Sequence, residues 1–356
     1  MATCALLAGC DQGHQDDSTQ TQVPPASVHV VASNVCPGQP GISPSGRIEL
    51  AFDRLILPMS VTRQTFILTD KRGNSLTPQV AYDPVARIVT LTPTAPLEGA
   101  QVYQVFIASP GGAADPNGLR AIDGATLDPA QPIACNPSQT QASLTFMVDA
   151  SASAPSAPPS VDFCRDIQPI FANKCLGSNC HGGALPAAGL ELDSNTAIVQ
   201  TAVGRVAQGS NTGPRAASQP PGPIFGIDMP TIDPGSGVVT AGDPADSWLL
   251  YKLLMAVPAT KATTGDAMNC DGGLAAPTVV SAAHTIPFQP LSDAERAVLS
   301  NLVPGREMPY PTDPKAPLSA ASGTLTVDEL ERVSLWIGQA RPSGEPLVPA
   351  MCGCIQ

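Results

Sequence analysis

Charged and aromatic side chains are both scarce in this 356-residue chain: Asp, Glu, Lys and Arg make up 13% of it, and Phe, Trp and Tyr 4%. So few charges cannot lace long exposed helices with ion pairs. With 39 prolines and 31 glycines, the composition favours turns and extended segments instead. Basic residues are the scarcer sign, 18 against 30 acidic ones, and the net charge of −12 argues against nucleic acid or anionic lipid surfaces as partners. A basic redox protein would suit this surface better. Long apolar runs are missing too, since no segment reaches the roughly 18 uninterrupted apolar residues of a membrane span. The sequence also lacks a recognisable catalytic triad, a paired-carboxylate hydrolase signature, a phosphate loop and an internal repeat. Hydrophobic residues are not lacking, at 43%, which excludes a disordered chain, and the length allows two ordinary domains.

The ten cysteines point outside the cytoplasm. Near the start, "LLAGC" (Leu6 to Cys10) resembles a bacterial lipobox, which implies a lipid on Cys10 and a flexible polar tether reaching Gln22. The apolar stretch before Cys10 is shorter than a signal sequence needs and has no basic flank, so the full signal is expected to begin upstream. Residues 1–24 therefore read as a truncated lipoprotein signal and tether. Lipid would be the anchor, placing the chain at the cell envelope, periplasmic or on the outer surface.

An Ala/Ser/Pro segment, "ASASAPSAPPS" at 150–160, separates two differently patterned halves. Before it, "RIELAF" alternates Ile48, Leu50 and Phe52 with other residues, and "ARIVTLT" (86–92), "VYQVFIA" (102–108) and "SLTFMV" (143–148) repeat the period of two. Turn signals at Arg72-Gly73-Asn74 and Tyr82-Asp83-Pro84 separate the runs, predicting an all-β sandwich over 25–149. The run from "GRIELAFDRLILPMSVTRQTFILTD" through "VAYD" and "RIVTLTP" to "VYQVFIA" resembles the SbsA-type bacterial Ig-like domain related to surface-layer proteins. That resemblance implies a spacer or display module. Cys36 and Cys135 lie near its two ends, where a disulfide would tie the edges together, while His14 and His29 read as incidental.

After the linker, over 161–356, the period changes to that of helices. In "DFCRDIQPIFANKC", Phe163, Ile167, Ile170 and Phe171 share one helical face, with Pro169 expected to kink or shorten the helix. "GDPADSWLLYKLL" predicts a helix capped by Asp243 with Pro244 at its first position. Ser292 with Glu295 and Thr326 with Glu329 form capping boxes for two more helices. Long Gly/Pro-rich inserts run between them, at 204–242 and 258–290.

"KCLGSNCHGG" carries the chemistry. A covalent haem needs two thiols for its vinyl groups and a histidine against the iron, and a His directly after the second Cys supplies the ligand without a further element. Here four residues separate Cys175 from Cys180, and His181 follows. Gly177, Ser178 and Asn179 suit an outward loop, and Gly182 and Gly183 allow close backbone approach. Read by itself, the motif equally fits a small disulfide loop beside an idle histidine; a zinc site fits less well, because the other Cys and His lack paired spacing.

The wider order, "DFCRDIQPIFANKCLGSNCHGG", "GLELDS", "AGDPADSWLLYKLL", "GREMPYP" and "LTVDELERVSLWIGQARP", resembles single-haem cytochrome c-like domains of planctomycete- and myxobacterial-type envelope proteins. The resemblance implies a mainly α cytochrome c-like domain with long loop inserts, and one covalent haem c. Cys175 and Cys180 would hold the porphyrin, His181 would be the proximal ligand, and Met308 of the Met-Pro pair the distal one; Met229 and His284 are the alternatives. The terminal helix with Trp336 would pack across the N-terminal one. Cys164, Cys270, Cys352 and Cys354 are left for two further disulfides of undetermined connectivity, pinning the C-terminus and an insert. The resulting expectation is a lipid-anchored monohaem electron carrier rather than an enzyme. A haem sensor or redox enzyme is a further possibility, and a haem-free, disulfide-bonded structural or adhesive lipoprotein is the alternative.

Overall fold

The alternating segments fold as strands and pair into a sandwich. The structure, a computed structural model, describes residues 27–352 except 37–40, 112–114, 116, 134–135, 177–179, 212–224, 226–227, 236–240, 260–266, 269–273, 276, 279, 281–283, 285, 287–289, 310–322 and 342–344. In chain order the strands are β1 (Val30–Ser33), β2 (Ile48–Phe52), β3 (Phe66–Asp70), β4 (Ser75–Leu76), β5 (Gln79–Asp83), β6 (Ile88–Thr92), β7 (Val102–Ile107), β8 (Pro132–Ile133), β9 (Asn136–Thr140) and β10 (Ser143–Met147). Two antiparallel four-stranded sheets, β1-β2-β6-β5 and β10-β7-β3-β4, lie face to face. Ile48, Leu50 and Phe52 of the first meet Phe66, Leu68 and Val105 of the second in one fully buried core. The Phe52 and Phe66 rings touch edge to face, with centroids 6.2 Å apart. Between β3 and β4, Asp70 accepts from the amides of Arg72 and Asn74, and Gly73 takes the left-handed conformation (φ 81°) that the tight turn requires.

Beyond the linker, Asp162 caps a π-helical turn, Phe163–Ile167, by accepting from the Arg165 amide at 2.8 Å. This turn runs into α1 (Gln168–Lys174). Pro169 falls in the first turn of α1, where its missing N–H costs nothing, and the π turn takes up the irregularity before it. Next come α2 (Asn195–Thr201), α3 (Trp248–Leu254), the short pair β11 (Ala267–Met268) and β12 (Leu274–Ala275), α4 (Asp293–Leu302) and α5 (Val327–Gly338). Both expected capping boxes form, Ser292 with Glu295 on α4 and Thr326 with Glu329 on α5. The expected start of α3 is wrong: Asp243 closes a local turn by accepting from the Ala245 amide at 2.8 Å, and the helix begins only after Ser247. Asp243 and Pro244 are spent on that turn, so neither is left to begin the helix.

Trp336 on α5 packs on Phe163 and Phe171, with ring centroids 5.5 and 6.2 Å away, and its indole N–H donates to the Leu347 carbonyl at 3.2 Å. The last helix thus lies on the first, and a Cys164–Cys352 disulfide fastens the C-terminal segment beside them.

The alternation of β2 misleads on one point. All five of its residues are buried, Glu49 completely, although only one face of the strand looks into the sandwich. The other face lies under the helical half: Ala51, Ala86 and Ile88 pack with Ile286. Leu55 and Val85 join the helical core, and Ala245 joins that of the sandwich. The two halves share a packed seam.

Candidate functional site

α1 ends at Cys175, whose amide donates to the Phe171 carbonyl at 2.9 Å. The chain then comes straight back, because the His181 amide donates to the Cys175 carbonyl at 3.1 Å. Two more backbone bonds pin the return: Ala187 N–H to the Cys180 carbonyl at 2.6 Å, and Leu192 N–H to the His181 carbonyl at 2.7 Å. Cys175 and His181 are buried and Cys180 half-buried. Gly183, with φ 82°, occupies a conformation that L side chains rarely adopt, so it is required here by the backbone itself.

His181 Nδ1 sits 3.0 Å from the Leu190 carbonyl. A carbonyl can only accept, so Nδ1 carries the proton and Nε2 of the neutral ring keeps its lone pair. Burial holds the imidazole below the usual histidine pKa, against the opposing pull of the Leu190 and Ala187 backbone carbonyls. The ring is therefore oriented, neutral and basic at Nε2, which is the state a metal-ligating histidine needs. Burial also pushes the Cys175 thiol up to about 12, reinforced by the neighbouring Cys180 and opposed by Lys174. Both cysteines are thiols in the structure.

The remaining candidates are scattered. Met308 is half-buried and packs on the apolar core that also buries Cys175; its amide donates to the Lys252 carbonyl at 3.0 Å. Met229 is wholly buried in that core, its carbonyl accepting from Ala207 N–H at 2.9 Å. His284 is engaged elsewhere: Nε2 lies 3.0 Å from Asp83 and Nδ1 3.7 Å from Glu49, so both ring nitrogens face sandwich carboxylates. His29 lies 2.8 Å from Asp53. Cys164 and Cys352 pair with each other, and Cys36 is disulfide-bonded to a partner outside the described residues. Cys10, Cys135, Cys270, Cys354, His14 and Gly177 to Asn179 also lie outside them. Among the described residues, no group of three or more His, Cys, Asp or Glu is arranged to hold a metal ion. A shallow groove at Val61–Gln64 and Pro78–Val80, and a cleft of about 280 Å³ between Arg54, Asp123 and α4, are lined by other residues and do not reach the Cys175–His181 turn.

A second constellation, which sequence reasoning missed, lies at the seam. Asp83, at the end of β5, accepts from His284 and from the Ser334 hydroxyl of α5 at 2.8 Å. Glu49, fully buried, pairs with Arg47 at 2.6 Å, and Arg87 of the sandwich pairs with Glu295 of α4. In sequence Asp83 belongs to a turn signal and Glu49 lies between the alternating Ile48 and Leu50.

The sandwich geometry has a counterpart among known families. Residues 24–129 match the bacterial Ig-like domain family. The match ends before the helical half, and the Ig-like domain is what it describes. Among solved structures, the S-layer protein SbsC aligns over 39% of this chain and 16% of its own length, at 15% identity and a TM-score of 0.26. The N-terminal part of SbsC aligns over 39% of this chain and 26% of its own, at 16% identity and a TM-score of 0.22. The shared segment is thus a small part of those proteins, and at such scores the likeness supports nothing about function. No curated protein matches the chain. Among the described residues, no helix is long and apolar enough to cross a membrane.

Proposed function

We propose that this protein is an extracytoplasmic, lipid-anchored c-type cytochrome that carries single electrons on one covalent haem in its helical half. The observation that carries the reading is the hydrogen bond from His181 Nδ1 to the Leu190 carbonyl, which leaves a buried, neutral Nε2 directly after Cys180. Cys175 and Cys180 would attach the haem, His181 would be the proximal ligand, and Met308 the distal one. When bound, the haem would supply one-electron redox chemistry. The chain's own part is to fix the His181 ring, to bring both thiols to one turn through the His181–Cys175 backbone bond, and to keep water from the apolar core around them. The match to a bacterial Ig-like domain and the Cys164–Cys352 disulfide support a place outside the cytoplasm, at the cell surface or envelope. Anchoring through Cys10 and a basic redox partner belong to the same proposal.

The test is a pyridine haemochrome spectrum of protein made in a host with c-type haem maturation, followed by a denaturing gel stained for haem. A covalent signal, weakened in Cys175→Ala and Cys180→Ala, is expected. A colourless protein would sink the reading and leave the second one, a haem-free, disulfide-bonded structural or adhesive envelope lipoprotein, for which the Cys164–Cys352 disulfide is the observation. If haem is present but the ferrous protein binds CO readily, a sensor or redox enzyme with an open distal position replaces the electron carrier.

A further inference from the structure

Lys252 holds the loop that presents Met308 by both ends. The residue lies on α3 and is buried, 4% exposed. Its ammonium donates to the Pro304 carbonyl at 3.0 Å, and its own backbone carbonyl accepts from the Met308 amide at 3.0 Å. Between these two points, Gly305 adopts φ 83°, and a Cβ placed on it would come within 3.2 Å of Nζ. Residues 304–308 are therefore wrapped round one lysine, with a glycine where a side chain would press on the ammonium.

A purely structural account exists for part of this. The Pro304 carbonyl lies just past the C-terminal end of α4, where a cation is favourable in any case. The Met308 amide would find the residue 252 carbonyl whatever the side chain there, so what the lysine itself adds is the tie to Pro304, which fixes the near end of the same loop beside Gly305. α3 begins with Trp248 and Leu249 tied by their amides to the carbonyls of Pro230 and Thr231, so Lys252 projects from an anchored helix.

We infer that Lys252 is a positioning residue that sets where the Met308 sulfur sits and so secures it as a ligand. The inference rests on the haem reading above, and the experiment separates the two. Wild type, Lys252→Met, Lys252→Arg, Gly305→Ala and Met308→Ala are produced with haem maturation. For each, covalent haem content, the weak near-infrared sulfur-to-iron band of the ferric form and CO binding by the ferrous form are measured. Lys252→Met should keep its covalent haem but lose most of the sulfur band, and bind CO about tenfold more tightly, as expected for loss of one charge-assisted hydrogen bond. Lys252→Arg should retain much of the band, and Met308→Ala sets the end point. If Lys252→Met does not fold, Gly305→Ala carries the test, because it leaves the lysine in place and displaces the loop. No haem in the wild type refutes the function reading. Haem with a sulfur band and CO affinity unchanged in both Lys252→Met and Gly305→Ala overturns the inference alone, as does a band that survives in Met308→Ala.

Discussion

Removing the His284 imidazole should unlock the seam in a pH-dependent way. His284 is a largely buried cation, 15% exposed, between Asp83 at 3.0 Å and Glu49 at 3.7 Å, and Asp83 is itself held by the Ser334 hydroxyl and the Val85 amide. Burial works against its charged form, but the hydrogen bonds and negative charges of Asp83 and Glu49 outweigh it and raise the pKa to about 9. A basic group whose pKa is higher folded than unfolded stabilises the fold fully below its unfolded value, near 6.5, and the benefit fades as pH rises through the folded value. Going from an unfolded pKa of about 6.5 to about 9 is worth roughly 3 kcal/mol at about pH 6 and almost nothing by about pH 9.5. Asp83 limits the window from the acid side. Its pKa is lowered, the His284 and Ser334 hydrogen bonds overcoming burial, so its contribution is lost as pH falls through that depressed value. Chemical denaturation of wild type and His284→Gln, followed by tryptophan fluorescence across this range, measures the difference. The two curves should stand about 3 kcal/mol apart near pH 6 and converge above about pH 9.5, because wild type gains from the His284 charge only while the ring is protonated and the variant never does. A constant gap over the whole range would refute the electrostatic account and reduce His284 to a packing residue.

Other expectations follow from the same arrangement. Glu331 on α5 has its carboxyl pushed up to about 7, first by burial and then by the Asp83 charge, so its ionisation opposes folding; Glu331→Gln should raise the melting temperature at pH 8 and leave it nearly unchanged at pH 5. The Cys164–Cys352 disulfide closes a segment of sequence separation 188, worth about 5 kcal/mol in the chain-entropy model, so the double Cys→Ser variant should show a much lower denaturation midpoint than wild type, and the two should coincide once both are reduced. Thr326→Ala removes the hydroxyl that accepts from the Glu329 amide at 3.2 Å and should cost about 1 kcal/mol, read as a shifted midpoint with an unchanged denaturant slope.

What the sequence made legible is local. The period of two in "ARIVTLT" and "VYQVFIA" gave β6 and β7, and the Ser-x-x-Glu and Thr-x-x-Glu patterns gave the starts of α4 and α5, because strand faces and caps are decided by residues within a few positions of one another. At Asp243 the same reasoning failed, since an Asx turn and a helix cap compete for one side chain and tertiary context chose between them. The Cys175–His181 motif was visible as chemistry. The bond that orients the imidazole was not, because Leu190 lies nine residues on and offers only its backbone, which is the same for every residue type. Least legible was the seam. Glu49, Asp83 and His284 come from distant parts of the chain, and in sequence Glu49 is one residue of an alternating strand, Asp83 part of a turn signal and His284 an alternative haem ligand.

The seam also changes the meaning of the Ala/Ser/Pro segment. By composition it is a semi-extended connector, and such connectors between independent domains act as hinges. Here both of its ends are fixed. Before it, the Asp149 amide donates to the Ile42 carbonyl at 2.9 Å; after it, Val161 exchanges hydrogen bonds with the Gln339 side chain through both its N–H and its carbonyl. The bodies it joins are meanwhile held together by Arg87–Glu295, by the Asp83 cluster and by the Ala51–Ile286 contact. A chain segment whose ends are pinned to surfaces already in contact has no arc to swing through. It is a strap, and lengthening it would cost only the slow logarithmic growth of loop-closure entropy. The Ig-like domain is therefore no free arm carrying the helical half at a distance. It forms one wall of that half, and whatever holds the sandwich in place also holds α4, α5 and the core behind Cys175.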